Sequence, residues 1–150
     1  MIYLAKFKPD KKTFKKIVSE LQKELKKELP DLIVEQSIKK GISPVFGFRK
    51  FPKYSEIYKA IIKRTRIKGG KRSPVTLTLT GDMNNSFKVK KIKDGLNLSF
   101  TDEKSQWHND GEGNLPQRKM LPTETKEKFS RVITMRIKEL IIKTVTKYGK

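Results

Sequence analysis

The chain has no cysteine, and a single histidine (His108) and a single tryptophan (Trp107) among its 150 residues. Without cysteine there is no disulfide, no thiolate metal site and no thiol nucleophile. One histidine allows at most one imidazole base or ligand. No apolar run approaches the roughly 20 residues that span a bilayer. The opening segment "MIYLAKFKPDKK" has neither the long apolar stretch nor the small-residue cleavage site of an export signal. The expectation is a soluble protein, made and used inside a cell, with no membrane partner. Acidic residues are scarce as well: Lys and Arg outnumber Asp and Glu 36 to 16, a formal charge of +20. Apolar and charged residues each make up 35%. One domain with a modest core drawn from amphipathic segments follows.

A basic surface attracts polyanions, nucleic acid first among them. The kind of base matters here. Only seven of the 36 are arginines: Arg49, Arg64, Arg66, Arg72, Arg118, Arg131 and Arg136. Base-reading proteins rely on the planar guanidinium fork, whereas lysine spread along a whole chain also serves to solvate helix faces. The charge thus fits non-specific phosphate contact, acidic protein surfaces or plain solvation.

Periodicity divides the chain into three parts. In residues 1–40, Phe14, Ile17, Val18, Leu21, Leu25 and Leu29 share one helical face after Thr13 as a candidate N-cap. Pro30 breaks the pattern, and a second short helix from Asp31 stops at Gly41. Residues 41–74 read as an extended aromatic and basic loop with a short helix from Ser55. They carry Phe46, Phe48, Phe51, Tyr54 and Tyr58, which can stack on single-stranded nucleic acid or clamp the loop to the body. Residues 75–150 begin with a strand over 75–80, alternating Val75, Leu77 and Leu79 with threonines. A hairpin follows, turning at Asp94-Gly95, with Phe87, Val89 and Lys91 on one face and Leu96, Leu98 and Phe100 on theirs. A long C-terminal helix closes the chain from about Thr123 to Lys147, striped by Phe129, Val132, Ile133, Ile137, Leu140, Ile141, Val145 and Tyr148. Glu124 and Glu127 lie near its positive end. The fold class is α+β: a small antiparallel sheet with a hairpin, packed on an N-terminal amphipathic helix and a long C-terminal helix.

Chemistry concentrates in "SQWHNDGEGNLPQRKMLP", residues 105–122, which hold the only His and Trp, two of nine glycines and two of seven prolines. His108, Asp110 and Glu112 alternate and, in a turn, could converge on a divalent cation as in some metal-dependent nucleases. Further ligands are scarce, with Asp102 and Glu103 the nearest. "KGGKRS" lacks phosphate-loop spacing, and no nucleophile elbow accompanies His108. The other reading makes the stretch an architectural corner. Pro116 ends extended chain, Arg118 forks onto a carboxylate or backbone carbonyls, Gly111 and Gly113 permit unusual backbone, and Leu121 and Pro122 anchor the last helix.

The order of these features resembles the phage virion morphogenesis, or tail completion, family. Its members show a Thr/Ser-Gly-x-Leu/Met-x-x-Ser segment, matched here by Thr80, Gly81, Met83 and Ser86. A hairpin precedes an aromatic-rich His-x-x-Gly turn, matched by His108 and Gly111. A Pro-x-Arg-x-Phe/Met-Leu segment, matched by Pro116, Arg118, Met120 and Leu121, leads to the last helix. Gln106 and Trp107 stand where members often have Tyr-Ala, and Met120 where Phe is usual. The similarity covers roughly residues 41–150.

The resemblance implies a non-enzymatic virion component of a tailed phage, without cofactor or metal, at the neck or head-proximal tail end. It would be made in the host cytoplasm and act as a homo-oligomeric ring, sixfold by analogy with related rings and twelvefold in the alternative. Its partners would be neck, connector and tail-tube proteins, with passing DNA touched non-specifically. The loop 41–74 is then the candidate for a segment that orders on assembly. A free, basic, non-specific nucleic-acid-binding protein is the competing class.

Overall fold

The helix α1, Lys11–Pro30, begins where the chain supplies an acceptor for its free backbone donors. In the computed structural model, which describes residues 7–65, 77, 82–93 and 95–149, that acceptor is Asp10, not Thr13. Asp10 Oδ1 accepts from the Thr13 N–H at 2.7 Å, the usual span from N-cap to third helical residue. Pro30 is the last residue of α1 but does not stop the helical run. Lacking only its own N–H, it sits in the last turn, and the chain widens into a π-turn over Asp31–Glu35 closed by Gln36 N–H to Asp31 O at 2.8 Å. Asp31 is helical in backbone and closes α1, with its N–H on Glu28 O, so it is not the N-cap of a new helix. Leu32, Ile33 and Val34 are all buried, a run that a helix with one apolar stripe cannot hide. A 3₁₀ turn, Ile38–Lys40, then ends at Gly41 in the left-handed conformation (φ +74°), as its sequence position predicts.

Next come α2 (Glu56–Thr65), the four-residue helix α3 (Asp82–Asn85), and a hairpin of β1 (Phe87–Ile92) and β2 (Gly95–Phe100). The hairpin has the predicted faces: Phe87 pairs with Phe100, Val89 with Leu98 and Lys91 with Leu96. Gly95 pairs with Ile92, so Gly95 belongs to the strand. Gln22 of α1 donates from Nε2 to the carbonyls of Ile92 and Gly95 at 2.9 and 2.8 Å, tying the turn to the helix. The sheet has two strands among the described residues. The strand expected over 75–80 lies outside them except for Leu77, which is buried with φ +53°, not strand backbone.

After β2 comes α4, Glu103–Asp110, and the chain ends in α5, Arg131–Tyr148. α5 starts eight residues later than its apolar periodicity predicts. Glu127 is the reason: its Oε2 accepts from the Thr123 and Glu124 N–H groups at 2.8 and 3.1 Å, folding 123–127 into its own turn. Phe129 then bridges Val45 as extended chain, with Ser130 N–H donating to Pro44 O at 2.7 Å. Helix α5 runs antiparallel to α1, with Arg136 forked onto Glu28 (2.7 and 2.9 Å) and Lys147 and Tyr148 both on Glu20. Its stripe divides. Ile133 and Leu140 are buried, while Val132 and Ile141 face outward, and outside the stripe Met135 and Ile142 are exposed too. One apolar cluster joins Leu29, Ile33 and Ile38 to Phe51, Met83, Phe87, Val89, Met120 and Ile133.

Candidate functional site

The stretch expected to be a turn is half helix. Asp102 caps α4 through its side chain, accepting from Lys104 N–H at 2.9 Å, and Gly111 closes it in the left-handed region (φ +72°) with its N–H on Trp107 O. An added Cβ at Gly111 would stand 3.0 Å from Gln117 Cβ, so both conformation and space require glycine there. The helix also separates His108 from Asp110, and Glu112 lies beyond its end. Residues two apart on a helix lie about 200° apart around its axis and cannot converge. Among the described residues no three His, Asp or Glu side chains gather as a metal site would need.

After Gly113 the chain doubles back, and residues 118–120 run buried between α4 and the 43–54 segment. Arg118 N–H donates to His108 O at 2.6 Å, and Gln117 Nε2 to Asn109 O at 3.1 Å. Asn109 is the residue that sequence reasoning missed. Its buried Oδ1 accepts from both Met120 N–H (2.8 Å) and Leu121 N–H (2.9 Å), holding the chain that carries the core residue Met120. On the opposite side Ser43 Oγ donates to Lys119 O at 2.6 Å and accepts from Val45 N–H at 3.1 Å. Nothing in the spacing of polar residues marks Asn109 or Ser43, because their partners lie on other segments.

Arg118 is the centre of the corner and only 3% exposed. It does what its geometry allows in place of a carboxylate partner. Nε and Nη2 donate to the carbonyls of Pro52 and Lys53, each at 3.2 Å, Nη1 lies 3.3 Å from His108 Nδ1, and the guanidinium stacks 5.1 Å over the Tyr54 ring. A guanidinium only donates, so Nδ1 must be the acceptor and the proton sits on Nε2. Burial, reinforced by the neighbouring Arg118 charge, lowers the His108 pKa from 6.5 to about 4. His108 is therefore a neutral imidazole with one nitrogen already committed. Tyr54 completes the knot: its hydroxyl accepts from Leu77 N–H at 3.0 Å, and burial raises its pKa.

The remaining predicted residues fall into place around this knot. Met83 is buried, and Ser86 ties α3 to α4, donating from Oγ to Met83 O at 2.7 Å and accepting from Asp102 N–H at 3.2 Å. Leu121 packs against the core cluster, whereas Pro116 and Trp107 are exposed. Thr80 and Gly81 lie outside the described residues. The aromatics of the 41–74 loop divide: Phe51 and Tyr54 are core, Phe46 and Phe48 are outside. Residues 41–54 are bonded within themselves and to the body of the protein. Ile42 bridges Lys50, Phe46 N–H donates to Lys128 O at 2.8 Å, and Phe51 N–H to Gly41 O at 2.9 Å.

One ion pair stands apart. Lys119, 3% exposed in its side chain, meets Glu127 at 3.0 Å and donates to Thr123 Oγ1 at 2.8 Å. Burial pushes the Glu127 carboxyl up, but the Thr123 and Glu124 N–H groups and Lys119 outweigh it and hold its pKa at about 2.

The chain matches no family model, no curated protein and no solved structure.

Proposed function

We propose that this protein is a non-enzymatic structural subunit of a tailed-phage particle, completing the head-proximal end of the tail or joining it to the capsid connector as a homo-oligomeric ring. The observation that carries the reading is the use made of the motif residues. His108, Gly111, Arg118, Met120 and Leu121, together with Met83 and Ser86, act on backbone, caps and core. What remains for function is surface: exposed apolar side chains on α5 and on the 42–48 turn, and lysines across most of the helix faces. A surface with those contents works through interfaces, and repeated copies of one chain close into rings when their contacts are head-to-tail.

Purified particles of the phage or prophage that encodes this chain, imaged at side-chain resolution, test the reading. A ring of this fold between connector and tail is expected. Particles complete without it refute the proposal. A second reading, non-specific nucleic-acid binding by the free protein, draws on the +20 charge and on Lys88 and Lys90, exposed on the outer face of β1. It requires isolated protein to bind duplex DNA tightly, with log K falling steeply and linearly in log salt. Weak binding at 0.15 M salt removes it.

A further inference from the structure

An acid-rimmed groove opens between α1 and α5. It measures about 710 Å³, and Leu32, Val132 and Met135 supply its apolar surface. Val132 is 70% and Met135 51% exposed, on the outward face of α5. Glu28, Asp31 and Glu139 border it with Lys27 and Arg136, so the rim carries a net charge of −1 in a chain whose total is +20. Arg136 pairs with both Glu28 and Glu139, so Asp31 carries the excess negative charge of this spot on a basic protein.

The opposite combination occurs at the turn following Pro44. Phe46 is 68% exposed, yet its backbone is pinned: its N–H is on Lys128 O, its neighbour Val45 bridges Phe129, and Gly47 takes φ +90° to make the bend. Exposed Arg49 and Lys50 follow it in the chain, exposed Lys128 and Arg131 flank the segment its turn bonds to, and residues 42–53 contain no acid. A preorganised aromatic loses little freedom on docking, which is the usual property of an interface anchor.

Resting on the assembly reading above, we infer that the Phe46 turn of one copy docks into the α1–α5 groove of a second copy, its ring against Val132 and Met135 and its cations against the acidic rim. Knob and hole differ, so each copy offers one of each. A basic chain that must contact itself needs such a local reversal of sign, because uniformly like surfaces repel.

The test uses the full-length protein in sedimentation equilibrium at 0.15 M salt, with Phe46→Ser and Met135→Glu and with Val132→Glu as a second groove variant. All three sites are exposed, so melting temperatures should stay within about 2 °C of wild type. Wild type should associate with rising concentration, and each variant should weaken that association about thirtyfold or more. Phe46→Ser keeps its groove and Met135→Glu keeps its finger, so an equimolar mixture should form a heterodimer through the one intact contact. Variants that associate like wild type overturn this interface and leave the ring reading standing. Wild type that stays monomeric throughout, or variants that are monomeric alone and equally so when mixed, also overturn it. Absence from the particle, by contrast, removes the ring reading itself.

Discussion

The neutral imidazole of His108 makes the corner acid-sensitive, and its size can be worked from the geometry. In the folded chain Nδ1 accepts from Arg118, so protonation removes the acceptor and sets two cations face to face. The folded value near 4, against 6.5 for a free imidazole, means the unfolded chain takes up a proton that the folded chain refuses. Stability is therefore flat above about pH 7 and falls as the pH drops through 6.5 toward 4. Full linkage gives a loss of about 2.5 kcal/mol by pH 4.5 and about 3.4 kcal/mol well below pH 4. Part of the ring is open to water, which screens the Arg118 charge and brings the expected loss to about 1–2 kcal/mol at pH 4.5. Urea unfolding of wild type and His108→Gln from pH 8 to 4.5 reads it directly, since glutamine keeps an acceptor without titrating. The variant should lose less stability than wild type over that window. Because there is one histidine, its ring-proton resonance titrates without overlap. A midpoint near 6.5 in the folded protein, or parallel pH profiles for the two chains, would refute the account.

Other substitutions probe the rest of the corner. Asn109→Ala strands the N–H groups of Met120 and Leu121 and should cost about 2–4 kcal/mol in chemical denaturation; under 1 kcal/mol would mean that neither bond matters. Gly111→Ala adds a crowded Cβ to a positive φ, whereas Gly113→Ala (φ +64°) meets open space, so the first should lower stability by about 1–3 kcal/mol and clearly more than the second. Equal effects would leave backbone strain as the only cost. Lys119→Ala leaves the half-buried Glu127 without its cation, though still held by two backbone N–H groups, and should destabilise by about 1–3 kcal/mol in thermal or urea unfolding. A change of a few tenths would mean the pair is solvated.

Much of the fold is legible because its determinants are local. The α1 stripe, the stop at Gly41, the hairpin and the facing pairs Phe87–Phe100 and Val89–Leu98 depend on periods and turn residues a few positions apart. Local signals mislead where a distant partner outbids them. Phe129 fits the period of α5 but is spent on a bridge to Val45, and Glu127 fits a helix start but is spent on a turn and on Lys119. The alternation of His108, Asp110 and Glu112 suggests convergence only while α4 is unknown.

Composition by itself determined that thiol chemistry is excluded, that the core is modest, and that the surface is strongly basic. The arginine at 118 could be read as a fork onto backbone carbonyls or a carboxylate, since its chemistry is fixed wherever it lies. Only the tertiary structure decided which carbonyls, and that His108 is its acceptor, Tyr54 its stacking surface and Asn109 the clasp beside it. Those partners lie up to 66 residues from Arg118 along the chain. A pairing at that separation leaves no trace in the spacing of residues, because packing alone brings the two segments together.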